Sequence, residues 1–225
     1  MGPDQAELQV AWGIPASREP RWPASLAVAA AVALTVTLPD PLLYGPRWVL
    51  PAVEAVIVLP LSVVAPFRHR NEPVTVRWLS FVLIGVAEVA NLISLVLLVR
   101  SILRGSSASG SQLVVAAVQI YVTNVLLFAL WFWELDRGGP GARMRQDHRE
   151  PDFLFPQMVT PEAAPRSWTP GFTDYLYVSF TNATAFSPTD TMPLTPTSKM
   201  LMLVESVAAL LTVAVVAARA VNILK

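Results

Sequence analysis

Apolar positions in this chain come in long unbroken runs rather than in alternation with polar ones. A run of about 20 apolar residues is enough to cross the hydrocarbon core of a bilayer. Five runs reach or approach that length: residues 23–38, 48–67, 76–103, 112–133 and 199–224. The first is Ala/Val-rich and spans only if Pro39-Asp40-Pro41-Leu42-Leu43-Tyr44 continues it. The second follows after a very short turn, which predicts a helical hairpin. The third is long enough to span while tilted. The fourth ends in Trp131-Phe132-Trp133, the aromatic belt of a membrane interface. The fifth holds no Gly and no Pro. The pattern predicts an all-α integral membrane protein with five transmembrane helices.

Between the last two runs the pattern changes twice. Residues 136–173 carry Gly138-Gly139-Pro140-Gly141, four arginines (Arg137, Arg143, Arg145, Arg149) and several prolines. This reads as an exposed connection, too long for an ordinary turn. Thr169-Pro170 then reads as a helix start, with Asp174 where an acid suits the helix dipole. Phe172, Tyr175, Leu176, Ser179, Phe180 and Ala183 follow at helical spacing. Such a helix is roughly 20 Å long at 1.5 Å per residue, too short to cross. It has to enter the membrane and return. Irregular backbone at that depth is tolerated only where protein or a water-filled path surrounds it.

The chain therefore divides into an N-terminal tail (1–22), a three-helix peripheral transmembrane region (23–104) and a pore-like module (112–225). Within the module the expected parts are an outer helix (112–134), a loop (135–168), a pore helix (170–184), a filter-like stretch (184–190) and an inner helix (198–224).

Composition supports the membrane class: 54% of residues are hydrophobic and 14% charged, with mean hydropathy +0.51. Soluble domains average about 25% charged residues. The formal net charge is zero, so no nucleic-acid partner is implied. Without cysteine there is no disulfide, thiolate metal site or cysteine nucleophile. The basic residues are almost all Arg, and Ala and Val abound, as in high-GC bacterial genomes. That makes the bacterial inner (plasma) membrane, with multiple passes, the expected location.

The order helix, turret-like loop, short pore helix, filter, helix resembles the pore module of the tetrameric potassium-channel superfamily. Its members typically read Asp-x-Leu-Tyr-Phe-Ser-Phe-x-Thr-x-Thr-Thr-Val-Gly-Tyr-Gly-Asp, followed by a Thr-Pro-rich link and a basic residue. Here Asp174, Leu176, Tyr177, Ser179 and Phe180 match the pore helix, and Thr184 and Asp190 bracket the filter without a gap. Pro193, Pro196 and Lys199 match the link, and Glu205, Ala218-Arg219 and Val221 resemble inner-helix positions of two-helix bacterial channels. The resemblance covers about half the chain. Residues 184–194 and the long loop are also similar to an uncharacterised family of bacterial membrane proteins, which implies no activity.

The filter departs from the pattern. Ala185-Phe186-Ser187-Pro188-Thr189 stands where the family has Thr-Val-Gly-Tyr-Gly. The potassium filter presents successive backbone carbonyls to the ion, and its glycines permit a backbone that residues with a Cβ adopt poorly. Pro188 also fixes φ near −65° and removes an amide donor. This chain is not expected to build the four-site potassium filter.

The resemblance implies a homotetramer in the lipid bilayer, because one re-entrant loop per chain needs a closed ring to surround an axis. Pore-helix C-termini aimed at that axis favour monovalent cations. Thr184, Ser187 and Thr189 would offer hydroxyls and Asp190 an outer carboxylate ring, while Asp174, Tyr177, Ser179 and Glu205 would support the pore. Weak or non-potassium selectivity is the expectation. In the bland alternative, Phe186 and Pro188 plug the axis and nothing is conducted.

A reading from a different class is a receptor, assembly protein or transporter subunit on the same scaffold. Intramembrane Glu54, Glu88, Asn91, Gln119, Asn124 and Glu205 bear on it, since ionisable residues in spans are costly and mark function by default. Glu54, Glu88 and Glu205 on three helices could form a proton or cation relay. The structural alternative pairs Glu88 with Asn91 or uses both to hold helices together, with Glu205 bonded behind the pore loop. An enzyme is the weakest option: His69 and His148 stand apart, and no metal-ligand spacing, cofactor motif or nucleophile motif occurs. Channel-like topology puts the pore loop outside, yet Lys and Arg then number eleven on that side and five on the other. The positive-inside rule opposes that orientation.

Overall fold

The computed structural model describes residues 22–43, 74–104, 109–145, 150–160, 162, 168–184 and 190–223. Three helices among them are long and apolar enough to span a membrane. They are α2 (Val74–Arg104), α3 (Gly110–Leu135) and α7 (Pro196–Ile223), of 31, 26 and 28 residues. These agree with three of the five expected spans to within a few residues. The second expected span, 48–67, lies outside the described residues, as does Glu54.

The first expected span is shorter than the sequence suggested. Helix α1 (Trp22–Val36) has 15 residues, about 22 Å at 1.5 Å per residue. It does not continue through Pro39-Asp40-Pro41, where a 3₁₀ turn (Asp40–Leu42) takes over. Two prolines remove two amide donors, so an α-helical ladder has nothing to propagate on. Thr37 caps the break by donating its hydroxyl back to Ala33 and Leu34 carbonyls, at 2.9 and 3.0 Å.

Helix α3 is the centre of the fold, packing against α1, α2, α7 and the short helix α6 (Phe172–Thr184). It starts on a capping box: Ser109 Oγ accepts from the Gln112 amide at 3.3 Å, and Gln112 Oε1 accepts from the Ser109 amide at 2.8 Å. Such a box satisfies two otherwise orphaned donors. Ala24, Ala27 and Ala31 are the buried positions of α1. Small residues at that spacing let two helices approach closely when no water drives them together.

After Leu135 the chain reverses through three consecutive left-handed residues, Arg137, Gly138 and Gly139 (φ 54°, 87° and 95°). Only glycine takes that region without strain. A Cβ at Gly139 would also stand 3.0 Å from the Glu134 carbonyl oxygen. Two one-turn helices follow, α4 (Pro140–Arg143) and α5 (Pro156–Val159). Between them β1 (Phe153–Leu154) pairs antiparallel with β2 (Met192–Pro193), Phe153 opposite Pro193. The segment after α3 is thereby tied to the segment before α7.

This corrects the expectation of an exposed connection. Asp136, Arg137, Arg143, Asp152, Phe153, Phe155 and Met158 are all buried. Phe132, Phe153, Phe155, Trp168 and Tyr175 make a run of edge-on and tilted ring contacts with centroids 5.1–6.3 Å apart. Rings at these separations pack favourably beyond their area burial. The described part of the connection is a packed cap on one end of α3 and α6.

Candidate functional site

Helix α6 is held between α3 and α7 by two separate groups of buried polar side chains. The first lies in the cap. Asp136 is fully buried, and one carboxylate oxygen accepts from the Asp152 and Phe153 amides at 2.7 and 3.3 Å. Its other oxygen accepts from the Tyr175 hydroxyl at 2.6 Å and faces Arg137 Nε at 3.7 Å. Arg143 Nη1 donates to the Trp133 and Asp136 carbonyls at 2.7 and 3.1 Å, with its guanidinium 5.2 Å from the Tyr175 ring centroid. Asp152 accepts from the Arg137 amide at 3.1 Å and the Thr195 hydroxyl at 2.8 Å. Two acids, two arginines and a tyrosine from four segments close one network.

The second group lies deeper, along the apolar lengths of α2, α3 and α7. Glu205 is buried, and its carboxylate accepts from the Ser179 hydroxyl and, at 2.6 Å, from Asn182 Nδ2. Ser179 also donates to the Val125 carbonyl at 2.7 Å, and Asn182 Nδ2 to the Met202 carbonyl at 2.9 Å. Asn124 Nδ2 donates to the Glu205 carbonyl at 3.4 Å. One face of α6 is thus fastened to both long helices behind it.

No family model, curated protein or solved structure matches this chain. The site is therefore argued from its geometry alone.

The structure brings Ser179, Glu205 and Asn124 together and adds Asn182. Asp174 instead works locally, its carboxylate accepting from the Gly171 amide at 2.8 Å at the start of α6. Tyr177 and Phe180 point away from this anchor and are more than half exposed. Thr184 closes α6, its hydroxyl bonded back to the Phe180 carbonyl at 2.8 Å, and Asp190 is exposed. Ala185, Phe186, Ser187, Pro188 and Thr189 lie outside the described residues. A pocket of about 350 Å³ opens beside the end of α6, and Tyr121, Asn182, Thr184, Ser206, Leu210 and Val213 are among its lining residues.

Among the remaining intramembrane polar residues, Gln119 Nε2 donates to the Thr37 hydroxyl at 2.8 Å and so links α3 to the end of α1. Asn91 Nδ2 donates across to the Ile120 carbonyl at 3.4 Å, not to Glu88. The expected Glu88–Asn91 pair does not form, and the helix-gluing alternative describes Asn91. Both carboxylate oxygens of Glu88, 7% exposed, have no hydrogen-bond partner among the described residues.

Sequence reasoning missed Asp136, Asp152, Arg137 and Arg143 as a set. The signal was present in the short apolar run Phe153-Leu154-Phe155 inside a polar stretch, which marks a buried segment. Asn182 was also missed, although it lies one helical turn beyond Ser179.

Proposed function

We propose that this protein is a potassium-channel-like membrane pore without the potassium filter, passing cations passively with weak or non-potassium selectivity. One observation carries the reading: α6 is a 13-residue helix, about 20 Å long, fastened behind to α3 and α7 through Ser179, Asn182 and Glu205. A helix too short to cross, braced on one side and ending at the filter-like stretch 184–190, is the part a re-entrant pore needs. Helix α7 adds support. It is mostly unburied within the monomer, with Leu203, Val207, Leu210 and Leu211 exposed. In a homotetramer in the inner membrane that flank meets neighbouring copies and lines the axis.

The assignment of roles follows from this reading. Thr184, Ser187 and Thr189 present hydroxyls, Asp190 forms a carboxylate ring at the mouth, and Glu205 holds the pore helix from behind. The test is flux from liposomes containing the purified protein. Monovalent cations should leak down their gradients, and Asp190→Asn should lower that leak or change its ion preference, because it removes four negative charges from one ring. No dissipation above empty vesicles would sink the pore reading and leave the non-conducting receptor, assembly or transporter-subunit reading in its place.

A further inference from the structure

Glu88 has no part in that reading, and its surroundings are unusual. Helices α2 and α3 run antiparallel in a definite register: Phe81 stacks on Trp131 at 5.5 Å, Gly85 lies against Trp131, and Asn91 bonds to Ile120. Moving along that register from Asn91 towards the start of α2 sets Glu88 level with Thr123 and Asn124 of α3. Asn124 in turn bonds to Glu205 of α7, so one layer of the helix packing holds Glu88, Asn124 and Glu205.

This layer has too many acceptors. Among the described residues, both Glu88 oxygens and Asn124 Oδ1 are buried without a hydrogen-bond partner, and Asn124 is only 1% exposed. The Asn124 amide cannot turn to help, because its Nδ2 is committed to the Glu205 carbonyl. An ionised carboxylate only accepts, whereas a protonated one carries a donor. A lone unpaired carboxylate at this depth costs several kcal/mol by the usual scale for buried charge. No arginine or lysine bonds to this layer among the described residues. Other ionisable groups on the elements packed against α2 are Tyr121 and Glu134 of α3, Lys199 and Arg219 of α7 and Asp40 of the 3₁₀ turn. Glu134 lies at the cap end beside Gly139, and Asp40 is exposed in the turn.

We infer that Glu88 is a proton-binding site in the membrane interior, its bound proton donated to Oδ1 of Asn124. One proton taken up from the aqueous phase then satisfies two orphaned groups at once. The same proton removes a negative charge from a layer that also holds the Glu205 carboxyl. Through the Asn124–Glu205 bond, occupancy of this site bears on the α3–α7 contact that fastens α6. The inference does not rest on conduction and stands or falls separately from it.

Infrared spectroscopy of the full chain in lipid tests it, because a protonated carboxyl and a carboxylate absorb at separate C=O frequencies. At neutral pH the wild type should show a protonated-carboxyl band that Glu88→Gln removes. Asn124→Leu should keep the band and move it to higher frequency, since the acceptor is lost. Absence of a band that depends on Glu88 overturns the proposal. Should Glu88→Gln not fold, Asn124→Leu decides alone, and a band it leaves unmoved overturns the proposal. A second overturning result is a melting temperature raised by sodium, potassium or calcium chloride over choline chloride in the wild type but not in Glu88→Gln. That would make the ligand a metal cation.

Discussion

The two groups of buried polar side chains on α6 use similar residues to opposite effect. In the cap, Asp136 and Asp152 are surrounded by donors: two backbone amides, the Tyr175 and Thr195 hydroxyls, the Arg137 amide and the Arg137 side chain. In the layer around Glu88, Glu205 has two side-chain donors and Glu88 has none among the described residues. Burying a charge is tolerable when partners replace the lost water and expensive otherwise. The two acids of the cap are therefore compensated, as in a structural clamp, although Arg137 Nε makes only a 3.7 Å ion pair and no hydrogen bond. The layer around Glu88 leaves a deficit that structure alone does not need, which is the mark of a site.

The comparison is sharpened most by Asp136→Ala. It removes the acceptor that the Tyr175 hydroxyl and two amides use, and the carboxylate that faces Arg137 Nε at full burial. Breaking one side of a buried charged pair typically costs about 3–5 kcal/mol. Thermal or denaturant unfolding in mild detergent should show that loss, with the β1–β2 link and the start of α6 loosening together in hydrogen exchange. If the variant melts like the wild type, the cap is not a clamp.

Glu205→Gln should cost less, about 1–2 kcal/mol, because glutamine keeps one acceptor and loses a charge-assisted bond. Ser179 and Asn182 each retain a backbone acceptor, at Val125 and Met202. The same unfolding measurement reads it. A loss as large as that of Asp136→Ala would mean that Glu205 carries most of the attachment of α6, and the ranking of the two groups would reverse.

How much of this was readable in advance follows from the range of each interaction. The three long helices announce themselves because membrane solvent selects for unbroken apolar runs, and α6 because its aromatic and small residues recur at helical spacing. Ser179 and Glu205 were legible through the resemblance of the flanks to a known pore module. Helix α1 was expected to span only if residues 39–44 continued it, and Pro39 and Pro41 end the hydrogen-bond ladder there. The cap was misjudged because its arginines were counted as exposed charge. Their burial depends on Asp136 meeting Tyr175, 39 positions away, and composition carries no record of such a meeting. The lone state of Glu88 was equally hidden, since Asn91 three residues on looked like its partner and instead reaches the Ile120 carbonyl.

The smallest effect is expected at the most expensive-looking residue. Glu88→Leu removes a buried acid with no donor or cation bonded to it among the described residues, so the desolvation it relieves offsets the one hydrogen bond to Asn124 that we propose. Replacing uncompensated buried polar groups by apolar ones of similar size is often neutral or stabilising. The unfolding free energy should therefore change by no more than about 1 kcal/mol, in either direction. Set beside Asp136→Ala, this is the discriminating pair: two buried acids, one whose loss unravels the cap and one whose loss the fold hardly registers. A drop at Glu88 comparable to that at Asp136 would mean a strong partner faces it, and the contrast between clamp and site would collapse. A neutral result leaves Glu88 as a residue the fold does not require, which is what a proton-binding group maintained for function should look like.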